Sequence, residues 1–465
     1  MNRRKIYTVL LALIIIAGCQ KSFAEDKNIK PVKQFKASVS DYKADFINKD
    51  WWNKYNDPML LSYIIKAAGE SHDLKIASIR VKEAKALVDQ YYGKEFPTIS
   101  YNTNISRQKT SDTTSMGSLK LHKYSQSSFV FPLVASYELD LWMKNREATE
   151  YAAKELQAVK CDEKTAYIIQ TSSIAAAYFN LIKFDGLIET QKRLITIKEN
   201  ILAMVKTKQE WGMAAQPEVN NAEKNLIDAK STLEELQKQQ NIFLNQLAVL
   251  TGSSVEDTAS FKRSTMEDIN LPSDIPDNFK SEIILERPDI IKAETKLHKA
   301  RIEVKLARKE FLPDITISGQ YGFNSNSFSK AINSDSYIAS IATGIAGKIF
   351  TGGARRSKLR GKKLLYEEML QNYQKTVLTS FQEVNDSLFA LNSEKNRNLN
   401  SQKRLEIEKR NYYLNTEKYK EGIISLLSLY EAEEKLLNLK KDDIAVKSDL
   451  LISSLNIYKA VGGKI

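Results

Sequence analysis

This chain is written twice, and that limits its possible folds more than any other property. Asp73, Leu74, Ala77, Ala84, Val88, Pro97 and Ile99 recur as Asp289, Ile290, Ala293, Ala300, Val304, Pro313 and Ile315, at a constant offset of 289 − 73 = 216. Further on, Arg146 matches Arg355 at 355 − 146 = 209. Gly212 matches Gly422 at 422 − 212 = 210, and Thr251–Gly252 matches Val461–Gly462 at the same 210. The offset falls by 216 − 209 = 7 between the proline and the arginine, so the first copy carries a longer loop there. Elsewhere the halves run almost without insertions, as helices held in register require. A repeat of this kind is one structural unit used twice, and it must be read before anything else.

Each copy has the same plan. A helix of roughly 22 residues (about 73–95 and 289–311) stops at Pro97 or Pro313, because proline cannot continue helical hydrogen bonding. A β-hairpin follows, over 98–139 and 314–350. Very long helical runs come next, about 143–211 and 354–421, then a glycine turn and a second helix, 217–251 and 426–461. Runs approaching 70 residues span on the order of 100 Å at 1.5 Å per residue. Helices of that length need a coiled-coil-like partner. Leu226, Ala229, Leu233, Leu236, Gln240, Phe243, Leu247 and Leu250, spaced alternately by three and four, form such a seam with Gln240 its only polar member. The domain plan is therefore residues 1–18 a signal peptide, 19–72 a lipidated N-terminal segment, 73–252 the first repeat, 253–288 a linker or equatorial segment, and 289–462 the second repeat.

The N-terminus sets the compartment. Arg3, Arg4 and Lys5 precede an apolar run from Ile6 to Ile16, then Ala17, Gly18 and Cys19. Basic residues, a short apolar run and small residues make a secretory signal, and the run is too short for a transmembrane helix, which needs about 20 apolar residues. Small residues directly before a cysteine resemble a bacterial lipoprotein signal, with Cys19 receiving diacylglycerol and an N-acyl chain; Gln20 after it implies sorting to the outer membrane. The formal net charge is +12. Lys and Glu are interleaved along the helical runs, which reads as a solvated helix face, and no nucleic-acid motif is present. Cys161 has no intramolecular cysteine partner once Cys19 is lipidated. His72, His122 and His298 lack ligand-like spacing, and no catalytic, metal or cofactor motif stands out. An enzyme is not indicated.

The hairpin strands alternate. Ile99, Tyr101, Thr103 and Ile105 share one face, opposite Ser100, Asn102, Asn104 and Ser106. Phe129, Phe131, Leu133, Ala135, Tyr137 and Leu139 share a face. So do Ile315, Ile317, Gly319, Tyr321 and Phe323, and, in 337–350, Tyr337, Ala339, Ile341, Thr343, Ile345 and Ile349. Strands of roughly ten residues, apolar outside and polar inside, are the pattern of an outer-membrane barrel. Four strands cannot close one, since single-chain barrels start at about eight and lipid tolerates no open sheet edge. Two copies would give eight strands, filled by side chains, and three would give twelve with an aqueous bore. Strand counting alone thus predicts oligomerisation, with the trimer favoured.

Several further stretches carry a resemblance over nearly the whole mature chain. They are Cys19; "WWNKYNDPMLLSYIIKA" (Trp51, Trp52, Asp57, Leu60); "YELDLWMKNR" (Glu138, Asp140, Leu141, Trp142, Arg146); "LERPDI" (Glu286, Arg287, Pro288, Asp289); and "IFTGGARR" (Phe350, Gly352, Gly353, Arg355). Together they resemble the TolC-like outer-membrane efflux factors, in their lipoprotein (NodT-type) branch. The resemblance implies a mainly α fold with membrane β: a trimeric 12-stranded β-barrel, four strands per chain, continuous with a long periplasmic α-helical barrel. It implies a passive exit duct for drugs or other small molecules. The partners are then a periplasmic adaptor, an inner-membrane transporter of the resistance-nodulation-division type, and outer-membrane lipid. Type I protein secretion is the alternative duct function, and a coiled-coil structural lipoprotein the reading from heptads alone.

By the same resemblance the two helix-turn-helix tips, at Gly212 and Met213 and at Gly422 and Ile423, meet the adaptor. Tyr419 matches the family's gating tyrosine, Glu218 an acidic gate partner, and Glu431 a carboxylate of the constriction ring. Ile424 stands where some members carry Arg or Asp, and Ser428 where a second ring Asp occurs, which points to a more apolar closure here. Pro97, Pro313, Trp142, Gly352 and Gly353 mark the junctions between barrel and helices, where Trp142 suits an interfacial aromatic belt.

Overall fold

The computed structural model describes residues 49–109, 115–116, 119–120, 125–272, 275–276 and 279–463. The signal segment and Cys19 lie outside the described residues. Helices α1 (Lys49–Asn53), α2 (Pro58–Glu70) and α3 (His72–Gly93) lead to strands β1 (Thr98–Tyr101), β2 (Asn104–Lys109) and β3 (Ser125–Glu138). Then come α4 (Lys144–Glu210) and α5 (Gln216–Thr251). After the linker, α6 (Ser281–Leu285), α7 (Pro288–Lys309), β4 (Asp314–Ser325), β5 (Tyr337–Ala346), α8 (Ala354–Lys420) and α9 (Leu426–Ala460) complete the chain. The long helices α4 and α8 are each 67 residues, about 100 Å of helix.

The core sits at mid-length of α4. Trp51, Trp52, Tyr55, Leu60 and Ile64 from α1, α2 and the turn between them are buried against Ile174, Tyr178, Phe179 and Ile182 of α4. Leu247 of α5 and Leu451, Leu455 and Tyr458 of α9 close the cluster. Trp51 stacks on Tyr458 with ring centroids 5.7 Å apart. Asp57 is hydrogen-bonded in several directions, as a buried carboxylate must be. Its Oδ1 accepts the Met59 N–H at 2.8 Å, capping α2, and the Ser264 hydroxyl at 3.0 Å, while its Oδ2 accepts the Tyr178 hydroxyl at 2.7 Å. Each aromatic or aliphatic side chain fully buried here contributes roughly 1.5–3 kcal/mol.

The predicted seam of α5 lies against α4. Leu226, Ala229 and Leu247 are buried, and its other members are half-buried. Gln240, the polar member, donates to Asp185 of α4 at 2.5 Å. Burial is the chief reason the Asp185 carboxyl titrates above the usual range, and Gln240 and Arg263 only partly offset it.

Strands β1 to β5 form one antiparallel sheet in the order β1/β2–β3–β4–β5, and Ser115–Met116 pairs with Leu119–Lys120 in a separate two-stranded ribbon. The two copies meet through β3 and β4, in register from Phe129 opposite Ser325 to Glu138 opposite Thr316. The single strand expected over 98–106 is instead interrupted at Asn102 and Thr103. Register is unchanged across the gap, from Tyr101 opposite Leu133 to Asn104 opposite Val130. Pro132 stands opposite Asn102; it accepts the Asn102 N–H at 3.4 Å but has no N–H to return. On its other side Pro132 faces Gly322, where a Cβ would lie 2.2 Å from the Phe131 carbonyl oxygen, so only glycine fits. The strand expected over 337–350 ends at Ala346. Among the described residues β1, β2 and β5 each have a single strand partner, leaving both edges of the sheet open.

Candidate functional site

Two regions gather the residues singled out above: the junction between sheet and helices, and the tips of the two helical hairpins. At the junction, α4 starts from Met143 in the left-handed region (φ 57°), where α8 starts from Gly353 (φ 85°) after Gly352 (φ 58°). Glycine accepts that conformation freely, whereas methionine carries a steric cost. Asp140 offsets it in part, because its two oxygens accept the Asn145 and Arg146 N–H groups at 3.1 and 3.0 Å and cap α4. Trp142 is partly exposed and its indole Nε1 donates to the Pro313 carbonyl at 2.8 Å. The first copy's junction is thereby tied to the second copy's proline. Lys144 pairs with Asp314 at 2.9 Å and Glu138 at 3.7 Å, joining the ends of β3 and β4. In the second copy Arg355 donates to the Glu310 and Lys348 carbonyls and lies 5.7 Å over the Phe311 ring. Pro97 precedes β1 directly and Pro313 precedes β4.

The tips share one construction. Met213 N–H reaches the Lys208 carbonyl at 2.8 Å and Gly212 N–H the Gln209 carbonyl at 2.8 Å. The second tip repeats this with Ile423 to Lys418 at 2.9 Å and Gly422 to Tyr419 at 3.0 Å. Both glycines have positive φ, 70° and 73°, so each long helix ends in a Schellman-type turn. Apolar side chains are presented outward: Trp211 and Met213 are 73% exposed and Ile423 64%. Tyr419, Glu218 and Glu431 are exposed and Ile424 half-buried. The side chains of Tyr419, Glu218 and Glu431 make no hydrogen bond or ion pair among the described residues.

The polar ties between the two hairpins lie closer to the core. Arg193 of α4 contacts Glu433 of α9 at 2.6 Å, Lys198 contacts Glu434 at 2.7 Å, and Lys441 donates to Gln191 at 2.8 Å. Glu433 is buried at 8% exposure. Burial, helped by Glu433, pushes the Tyr412 hydroxyl above its usual range, and burial pulls Lys441 below the ordinary lysine value. Between residues 199–232 and 402–432 no side-chain hydrogen bond or ion pair joins the first hairpin to the second among the described residues. This cluster is not among the residues singled out from the sequence, yet the sequence carries a signal for it. Leu426, Leu429, Glu433, Leu436, Lys440, Asp443, Lys447 and Leu450 follow three–four spacing, so Glu433 is the first charged residue to interrupt a leucine seam. Trp211, directly before Gly212, was equally visible in the sequence.

Comparison with known proteins follows the same division of the chain. The profile of the family described as outer membrane efflux protein matches residues 64–253 and 280–463, one segment per copy. The pyoverdine export outer membrane protein OpmQ of Pseudomonas putida is 24% identical over 462 residues, covering 99% of this chain and 97% of that protein. The probable outer membrane lipoprotein SilC of Salmonella typhimurium is 24% identical, with 97% of each covered. The solved structure of the Campylobacter jejuni CmeC outer membrane channel superposes with a TM-score of 0.82 at 26% identity, covering 94% of this chain and 90% of that one.

Proposed function

The chain belongs to the outer membrane efflux protein family, and on that premise we propose that three copies close their sheets into one 12-stranded barrel continuous with a helical barrel. The protein is an outer-membrane efflux component. The observation that carries the assembly is a sheet of four strand rows, β1 and β2 lying in line along one edge, with both edges open and an apolar row on one face. In lipid every edge N–H and C=O must be paired, and β5 of one copy is free to pair with β1 and β2 of the next.

In this reading the duct is passive. A periplasmic adaptor docks on the exposed apolar tips at Trp211, Met213 and Ile423, beside Gly212 and Gly422, and an inner-membrane transporter of the resistance-nodulation-division type supplies energy and selects cargo. Tyr419, Glu218, Glu431 and Ile424 form the periplasmic gate once neighbouring copies face each other. Cys19 carries the lipid that holds the chain at the outer membrane. Small molecules are the cargo, in keeping with the pyoverdine exported by the similar Pseudomonas protein; nothing in the comparisons favours type I protein secretion.

Purified protein should sediment as a trimer and conduct ions across planar bilayers, and deletion of the gene should raise cellular retention of dyes or drugs. A monomer without conductance would sink the proposal. Glu431→Ala should alter cation block of the channel, and unchanged block would remove Glu431 from the gate.

A further inference from the structure

Side-chain alternation along the sheet, fixed by the observed register, continues past the apolar band. On β1 and β2 the face that carries Ile99, Tyr101 and Ile105 next carries Arg107 and Lys109. The opposite, polar face carries the neutral Ser106 and Gln108 over the same stretch. The cations therefore stand on the apolar side of the sheet, at the end far from the helices, because β1 begins directly after Pro97.

That end of the apolar band is marked by aromatic rings on β3, β4 and β5. Phe129 lies opposite Ile105, Phe131 opposite Phe323, and Phe323 opposite Tyr337. Tyr321 meets Tyr337 edge to face at 5.2 Å, and Phe328 meets Phe129 at 5.6 Å. These rings form an aromatic rim of the kind that sits at the boundary between acyl chains and headgroups. Beyond the rim the same face carries Ser125, Ser127 and Ser325 with Arg107 and Lys109. Lys330 is exposed on the short turn that bears Phe328.

Neither Arg107 nor Lys109 meets a carboxylate among the described residues. The side-chain bond made by this pair runs from Arg107 Nε to the Ser125 hydroxyl at 3.3 Å. The opposite end of the sheet differs, since Lys144 there is held by Asp314 and Glu138. A cation on the lipid face is costly at the bilayer midplane and nearly free at the interface. Cations that meet no carboxylate among the described residues and stand just past an aromatic rim therefore belong at headgroup level.

We propose that Arg107 and Lys109 form an outward-facing site for the phosphorylated headgroups of outer-leaflet glycolipid. The inference rests on the barrel reading, which makes this face the lipid face and this end the outer leaflet. Guanidinium forks suit phosphate oxygens bidentately, and lysine adds a point charge. The seryl hydroxyls of β3 beside them supply neutral donors to the same headgroup.

The test compares trimers of the wild type, Arg107→Gln with Lys109→Gln, and the charge-preserving Arg107→Lys with Lys109→Arg. Bound bisphosphorylated lipid A is measured by native mass spectrometry, with its dephosphorylated form as the control ligand. The double Gln variant should retain about tenfold less lipid A, the factor given by one lost contact of roughly 1.4 kcal/mol. The charge-preserving variant keeps it, and conductance is unchanged in both. Equal lipid A on double-Gln trimers, or equal affinity for the dephosphorylated form, would overturn the site. Loss of trimers in the double Gln variant would assign the cations to a contact between copies, and the proposal would fall. A wild type without trimers or conductance would bring down the barrel reading first, and this inference with it.

Discussion

The helices α4 and α8 are the same element written twice, of equal length, yet they use their surfaces differently. α4 buries residues from Ala152 to Ile197, with Ile174, Tyr178, Phe179 and Ile182 at the centre of the core. α8 buries only Ser380, Val384, Leu391 and Ser401 among the described residues. Its apolar side chains at Leu364, Leu378, Phe389, Leu399 and Ile407 are more than half exposed. α4 packs against α2, α3, α5, α7 and α9, whereas α8 packs against α7 and α9 with a brief contact to α6. Duplication thus supplied two equal rods, and the chain folded itself around one of them. The apolar face of the other is suited to a second copy.

The largest difference between the two rods should appear in the core on the α4 side. Trp52→Ala should cost roughly 3–5 kcal/mol, seen as a large fall in the thermal unfolding midpoint. Leu378→Ala, at a position 71% exposed, should stay within about 0.5 kcal/mol for the single chain. Equal losses would show that the two helices do not differ in this way. Next in size, Leu378→Asp combined with Leu399→Asp should abolish the proposed trimer in light scattering while leaving helical circular dichroism intact. Trimers surviving that change would place the contact between copies elsewhere.

A smaller effect is expected where the second copy is fastened to the core. Arg287 is buried and bridges Glu383 at 2.6 Å, Asp289 at 2.8 Å and the Ala460 carbonyl at 2.6 Å. Arg287→Met should cost about 2 kcal/mol in chemical denaturation, because the carboxylates it leaves are half exposed and can rehydrate. The smallest effect concerns Lys441, whose pKa burial depresses. A depressed folded-state pKa gives stability that is present above the unfolded value, about 10.4, and lost as pH falls through the folded value. Lys441→Gln should therefore raise the melting temperature slightly at neutral pH, with the gain shrinking as pH approaches about 10.4. A gain independent of pH would assign the effect to packing.

Most of the helical plan was legible because its punctuation is local. Pro97 and Pro313 stop helices, Gly212 and Gly422 turn them, and three–four spacing marks the seam of α5. The strand break was written in the sequence too, since Pro132 lies inside an alternating run, but alternation of side chains says nothing of a missing N–H. Pairing between β3 and β4 was not legible: each hairpin is complete locally, and only the three-dimensional path of the long helices brings them together. The Trp142 bond to Pro313 depends on that same path. At the tips, position and exposure could be read from sequence, but the polar ties at Glu433 and Glu434 depend on which face of α9 meets α4.

The equal lengths of α4 and α8 also fix a spacing. Each helix starts from a left-handed residue and ends in the same glycine turn, so the number of residues between these two stops acts as a ruler. Adding one heptad lengthens a leg by about 10 Å. It would have to be added to both descending helices and to both returning ones, or one tip would hang below the other. In the proposed assembly all the tips must reach one level, so the distance from membrane to docking plane is a length that evolution can change only by matched insertions in every leg of the chain.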